Sequence, residues 1–140
     1  MNYLLDTCVL SETIKPKPAE SVVRWLSAQQ ESHLFVSVLT LGELRKGIER
    51  LPAGKKKHEL FLWLARLSSV YSTRFLDFDS ECAMTWGEIT AKAETAGHPL
   101  PVIDSMIAAT ALTKTCTLVS RNVDDYANTD AKVINPWDLV

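Results

Sequence analysis

Short apolar runs separated by stretches long enough for helices constrain this 140-residue chain most. The runs are Tyr3–Leu5, Leu34–Ser37, Phe75–Phe78, Thr117–Val119 and Lys132–Ile134. Parallel strands need a crossover of about a dozen residues, usually a helix, and the intervening segments carry helical patterns. After a turn at Pro16 and Pro18, Glu20–Gln30 has Val22, Val23 and Leu26 on its apolar side. Thr40-Leu41-Gly42-Glu43 has the form of a capping box, with Leu44 and Ile48 following on one helix face. Pro52 and Gly54 break that helix, and Lys57–Leu67 opens another with Leu60, Trp63, Leu64 and Leu67 on one side. Asp79 or Ser80 caps a helix to about Ala96, which Gly97 stops, and Val102–Thr113 is lined by Ile103, Ile107 and Ala111. This order predicts one α/β domain over residues 1–140, a central mostly parallel sheet flanked by helices in three layers.

In such a sheet, ligands gather outside the carboxyl ends of the strands. Asp6 directly follows the first run, and Asp125 lies in the polar segment after Leu118-Val119, with Asp124 beside it as a competing candidate. Glu43 and Asp104 fall near the heads of helices. There Glu43 has the bland role of closing a capping box, and Asp104 that of complementing the helix dipole. Asp6 has a bland role too, as a helix cap or turn residue. Together, though, several carboxylates in one small domain repel one another unless a cation compensates. Oxygen ligands suit Mg²⁺ or Mn²⁺, and a phosphodiester is the natural substrate of such a centre. Thr7, next to Asp6, can donate its hydroxyl to a ligand or to that aspartate.

The remaining polar chemistry is sparse. Cys8, Cys82 and Cys116 are too widely spaced for a zinc site or a disulfide framework, which fits a reducing compartment. His33, His58 and His98 read as surface residues, Trp25, Trp63 and Trp86 as core, and Trp137 as an anchor for the tail. No apolar run approaches the roughly 20 residues that span a bilayer, and Asp6 interrupts the first one, so the cytoplasm is expected. Net charge is −2, but it is unevenly spread. Residues 1–70 hold 10 Lys/Arg against 7 Asp/Glu, whereas residues 71–140 hold 5 against 10. The basic excess gathers in Arg45, Lys46, Arg50, Lys55, Lys56 and Lys57, either a guide for a phosphate backbone or a solvated turn between two helices.

Four segments carry a family resemblance: Tyr3-Leu4-Leu5-Asp6-Thr7; Ser37-Val38-Leu39-Thr40-Leu41-Gly42-Glu43-Leu44 with Gly47; Asp104-Ser105-Met106-Ile107-Ala108-Ala109-Thr110-Ala111; and Leu118-Val119-Ser120-Arg121-Asn122-Val123-Asp124-Asp125-Tyr126. In order and spacing the chain resembles PIN-domain ribonucleases of the VapC type, toxins of toxin–antitoxin pairs, and most closely the FitB-like branch. The resemblance implies a metal-dependent endoribonuclease using Mg²⁺ (or Mn²⁺), with Asp6, Glu43, Asp104 and Asp125 as its metal-binding acids. It prefers Asp125 to Asp124 because Asp125 directly precedes the aromatic. Thr7, Ser120, Asn122 and Asp124 are supporting residues, Ser120 standing where the family usually has threonine. The resemblance further implies an RNA substrate, a homodimer and an antitoxin that binds operator DNA, with the helices at 20–30 and 43–67 as protein-contact surfaces. Two other readings remain. One is an interaction protein whose acidic pocket holds a partner's basic segment. The other is a small-substrate phosphatase, although no second aspartate stands two residues after Asp6.

Overall fold

The computed structural model describes residues 1–139. Five strands, β1 (Asn2–Leu5), β2 (Leu34–Ser37), β3 (Phe75–Leu76), β4 (Cys116–Val119) and β5 (Val133–Ile134), form one sheet in the order β3-β2-β1-β4-β5. Every pairing is parallel. Six helices surround it: α1 (Thr7–Glu12), α2 (Glu20–Ser27), α3 (Val38–Glu49), α4 (Lys55–Val70), α5 (Ser80–Thr95) and α6 (Val102–Thr113).

Alternation along the strands divides the core. On β1, Leu4 packs with Ile107, Ala108 and Leu118 beneath α5 and α6, while Leu5 faces Val36, Leu44, Leu64 and Val119 beneath α1–α4. The small Ala108 and Ala109 let α6 approach the sheet closely, and both are fully buried. The tail returns through a 3₁₀ turn at Pro136–Asp138 that packs against α2, so Trp137 is the expected anchor.

This strand order places one position apart from the rest. The chain runs outward from β1 through β2 to β3, then crosses back to β4 on the other side of β1. The crevice at that reversal, past the ends of β1 and β4, is where α/β sheets receive ligands. Asp6 follows β1 immediately and Ser120 follows β4 immediately.

Several local expectations change. Helix α1 is absent from the sequence reading, because its six residues give too short a pattern to show a period. Helix α3 begins at Val38, not near Glu43. Its cap is Ser37, whose hydroxyl accepts from Leu39 N–H, and Thr40 lies inside the helix with its buried hydroxyl unpartnered. The capping box is therefore wrong, and Glu43 is released for another partner. Val23 and Ile103 turn outward, at 41% and 37% exposure, and His33 is half-buried beside β2 whereas His58 and His98 are exposed.

Asp79 caps α5 as expected, accepting from Cys82 N–H at 3.0 Å, and Gly97 takes the left-handed conformation just past the helix end. Asp79 also accepts from Lys114 Nζ at 2.6 Å, joining the head of α5 to the tail of α6. The ammonium holds the Asp79 carboxyl well below the usual carboxylate range, and the carboxylate raises Lys114 in turn. A carboxyl lowered on folding adds stability above its ordinary value near 4 and loses it as pH falls further. Asp79→Asn keeps a good helix cap and loses only the ion pair. It is expected to lower the melting temperature by a few degrees at neutral pH, with the gap closing under acid in a thermal-melt series.

Candidate functional site: an acidic crevice at the sheet's turning point

Asp6 is 5% exposed, an arrangement a carboxylate tolerates only when its oxygens are well bonded. Its Oδ1 accepts the Thr7 N–H at 2.8 Å, which caps α1. Its Oδ2 accepts from the Ser120 hydroxyl at 2.7 Å and the Tyr126 hydroxyl at 3.0 Å. The residue that caps α1 thus also sits in the crevice. Ser120 is itself held, its oxygen accepting Asn122 N–H at 3.0 Å, so Asn122 enters through its backbone. Cys8 lines the floor, its Sγ 3.5 Å from Arg121 N and 3.7 Å from Ser120 Oγ. Burial keeps that thiol above its ordinary value, which makes it a packing group rather than a nucleophile.

Glu43 reaches the site from the second turn of α3. Its Oε1 accepts the Thr7 hydroxyl at 2.8 Å, so Thr7 serves Glu43 and its backbone serves Asp6. Asp104 arrives from the first turn of α6. Burial, then the charges of Asp6, Asp125 and Glu43, push its carboxyl up to about 6. The other three acids are therefore each near enough for their charges to act on Asp104. Asp125 and Asp124 are both exposed in the 3₁₀ turn Val123–Tyr126, beside Arg121, Asn122, Asn135 and Asp138; of the two, Asp125 is among the leading charges felt at Asp104.

Among the described residues none of the four acids pairs with a lysine or arginine. Neither is any set of three or more His, Cys, Asp or Glu side chains already arranged to close around one ion. The donor set still fits a hard divalent cation. It offers only oxygens, its negative charge is uncompensated, and Mg²⁺ commonly takes one or two carboxylates and keeps several waters. A preformed three-carboxylate cage is not required, and mutual repulsion opposes one.

The basic group divides in space. Lys46 and Arg50 line one groove with Glu43 and Ile103, bringing cations beside the acids. Arg45 turns to the other side of α3, bonded to Glu49 at 2.9 Å and lying over the Phe61 ring. Lys55, Lys56 and Lys57 occupy the first turn of α4, where Lys55 faces Glu59 and Lys57 donates to the Glu49 carbonyl. Sequence reasoning singled out the acids but not the hydroxyl of Tyr126. Its only signal is its place directly after Asp125.

Fold and crevice together define an all-parallel α/β protein with a carboxylate centre at its topological turning point. The chain belongs to the PIN domain family, whose model matches residues 3–132. It is 36% identical over 135 residues to the toxin FitB of Neisseria gonorrhoeae, covering 96% of this chain and 97% of that one. It is 32% identical over 139 residues to the VapC ribonuclease Y4jK of Sinorhizobium fredii, covering 96% and 97%. Among solved structures, a chain of FitAB bound to a DNA fragment superposes with a TM-score of 0.92 at 34% identity, over 99% of this chain and 97% of that one.

Proposed function

We propose that this chain, as one domain over residues 1–140, is a divalent-metal-dependent endoribonuclease and the toxin of a toxin–antitoxin pair. The observation that carries this reading is the convergence of Asp6, Glu43, Asp104 and Asp125 in the crevice of a PIN fold. Kinship with a VapC ribonuclease and with FitB supports it.

Mg²⁺ or Mn²⁺, when bound, supplies an activated water and positive charge for the phosphate and leaving oxygen. Asp6 and Asp104 are the central ligands, and Glu43 and Asp125 bind metal or orient the water. Thr7 fixes Glu43, while Ser120 and the Asn122 backbone hold Asp6 in place. Asp124 stands at the rim. Lys46 and Arg50 receive the RNA backbone in the groove beside Glu43.

The protein acts in the cytoplasm as a homodimer restrained by an antitoxin that binds operator DNA. The apolar groove between α3 and α4, lined by Leu41, Phe61, Leu64 and Ala65, offers that antitoxin a contact surface. No helix among the described residues is long and apolar enough to cross a membrane.

The test is incubation of antitoxin-free protein with defined tRNA and structured RNA pools in EDTA, Mg²⁺ and Mn²⁺, with the cut ends mapped. Cleavage only with metal, suppressed by the neighbouring gene's antitoxin, is the expected result. Folded protein that binds the antitoxin yet cuts none of the pools would instead favour a binding-only pocket.

A further inference from the structure

Tyr126 is 1% exposed, yet it carries a phenol where phenylalanine would fill the same space. A buried hydroxyl is costly unless it is bonded, so its partner is informative. That partner is Asp6 Oδ2, at 3.0 Å. The same oxygen accepts from Ser120 at 2.7 Å. A carboxylate oxygen has about two lone-pair sites, so these two short bonds occupy Oδ2, with the Cys8 thiol a more distant neighbour at 4.0 Å. Oδ1 has one site on the Thr7 N–H and keeps the other open.

Tyr126 also bears on Asp125 through its own chain segment. Its backbone ends the 3₁₀ turn Val123–Tyr126, which presents Asp125 one residue earlier. One residue therefore links the strand end bearing Asp6 to the turn bearing Asp125.

We propose that Tyr126 is a positioning residue: its hydroxyl, with that of Ser120, anchors Asp6 Oδ2 and turns Oδ1 toward the cation, while locking the Asp125 turn onto the same point. This rests on the metal-dependent reading of the site. Without the phenol, the carboxylate keeps the Thr7 N–H on Oδ1 and the Ser120 hydroxyl on Oδ2, two short bonds that leave it room to tilt. The Tyr126 hydroxyl adds a third short bond from a separate chain segment and fixes the carboxylate plane, and fixed ligands bind metal with less ordering cost.

Calorimetric titration of Mn²⁺ into wild type, Tyr126→Phe, Tyr71→Phe and Asp104→Asn, with RNA absent, tests the inference. Tyr71 is a largely buried tyrosine outside the site, so Tyr71→Phe controls for removing a phenol hydroxyl. Wild type and Tyr71→Phe are expected to bind alike, and Tyr126→Phe about tenfold more weakly, within the usual range for a group that orients a ligand. In cleavage assays at saturating Mn²⁺, kcat is expected to fall in Tyr126→Phe while KM for RNA holds. Packing alone would instead leave Mn²⁺ affinity unchanged in Tyr126→Phe, and that result overturns the proposal. Wild type that binds Mn²⁺ no better than Asp104→Asn overturns the metal reading itself, and the positioning role with it. Should Tyr126→Phe fail to fold, wild type labelled at tyrosine Cζ carries the test, because the chain has only 3 tyrosines. Saturating Mg²⁺ is expected to move the Tyr126 resonance and leave those of Tyr3 and Tyr71 in place; an unmoved Tyr126 signal overturns the proposal.

Discussion

Asparagine in place of Asp104 is expected to slow metal-dependent RNA cleavage by about 10³-fold, on the order of 4 kcal/mol of transition-state stabilisation. The same change is expected to raise the melting temperature of the metal-free protein at neutral pH. The two effects share one cause. Burial and the charges of Asp6, Asp125 and Glu43 push the Asp104 carboxyl up to about 6. An acid raised on folding holds more protons folded than unfolded between about 4 and 6, so stability falls as pH climbs through that window. Above it the ionised carboxylate strains the fold until a cation arrives. Asp104 is only partly buried, so solvent screening reduces the relief in Asp104→Asn to about 1 kcal/mol. Thermal melts in EDTA should show the variant ahead of wild type near neutral pH, and the gap closing toward pH ~4. Saturating Mg²⁺ should reverse the order, because only wild type retains the full ligand set. A variant that cuts RNA normally, or that is less stable than wild type at every pH without metal, would remove Asp104 from the centre of the site.

That coupling of repulsion to function is why the acids stood out in the sequence while their surroundings did not. Asp6 and Asp104 occupy positions defined by local signals, a strand end and a helix head after Pro101, which a reader can place without tertiary contacts. The strand set and the flanking helices followed from apolar runs and breakers in the same way. Glu43 was harder. Its local pattern imitates a capping box, and only the packing of α1 against α3 shows that its partner is Thr7, 36 residues away. Helix α1 hid because its six residues are too few to show a helical period. The roles of Ser120 and Tyr126 depend on contacts 114 and 120 residues apart in the chain, to which no periodicity points. The basic group shows the same limit. Six cations close in sequence read as one patch, but α3 sends Arg45 one way and Lys46 and Arg50 another.

This division makes the second large effect specific. Neutralising Lys46 and Arg50 together, as Lys46→Gln with Arg50→Gln, is expected to raise KM for RNA by about tenfold or more while kcat stays near wild type, since the loss is of uniform backbone binding. Each phosphate contact on a single strand contributes about 0.7 to the slope of log affinity against log salt, so losing two should flatten that slope by roughly 1.4. The triple change Lys55→Gln, Lys56→Gln and Lys57→Gln removes more charge, yet from the first turn of α4, where Lys55 and Lys57 already face Glu59 and the Glu49 carbonyl. Net charge alone would make the triple variant the weaker binder. Placement beside Glu43 makes the double variant weaker, because Lys46 and Arg50 share a groove with that acid. Binding isotherms across a salt series, read beside steady-state kinetics, separate the two. An equal or larger loss in the triple variant would move the RNA path away from the α3 groove and onto the head of α4.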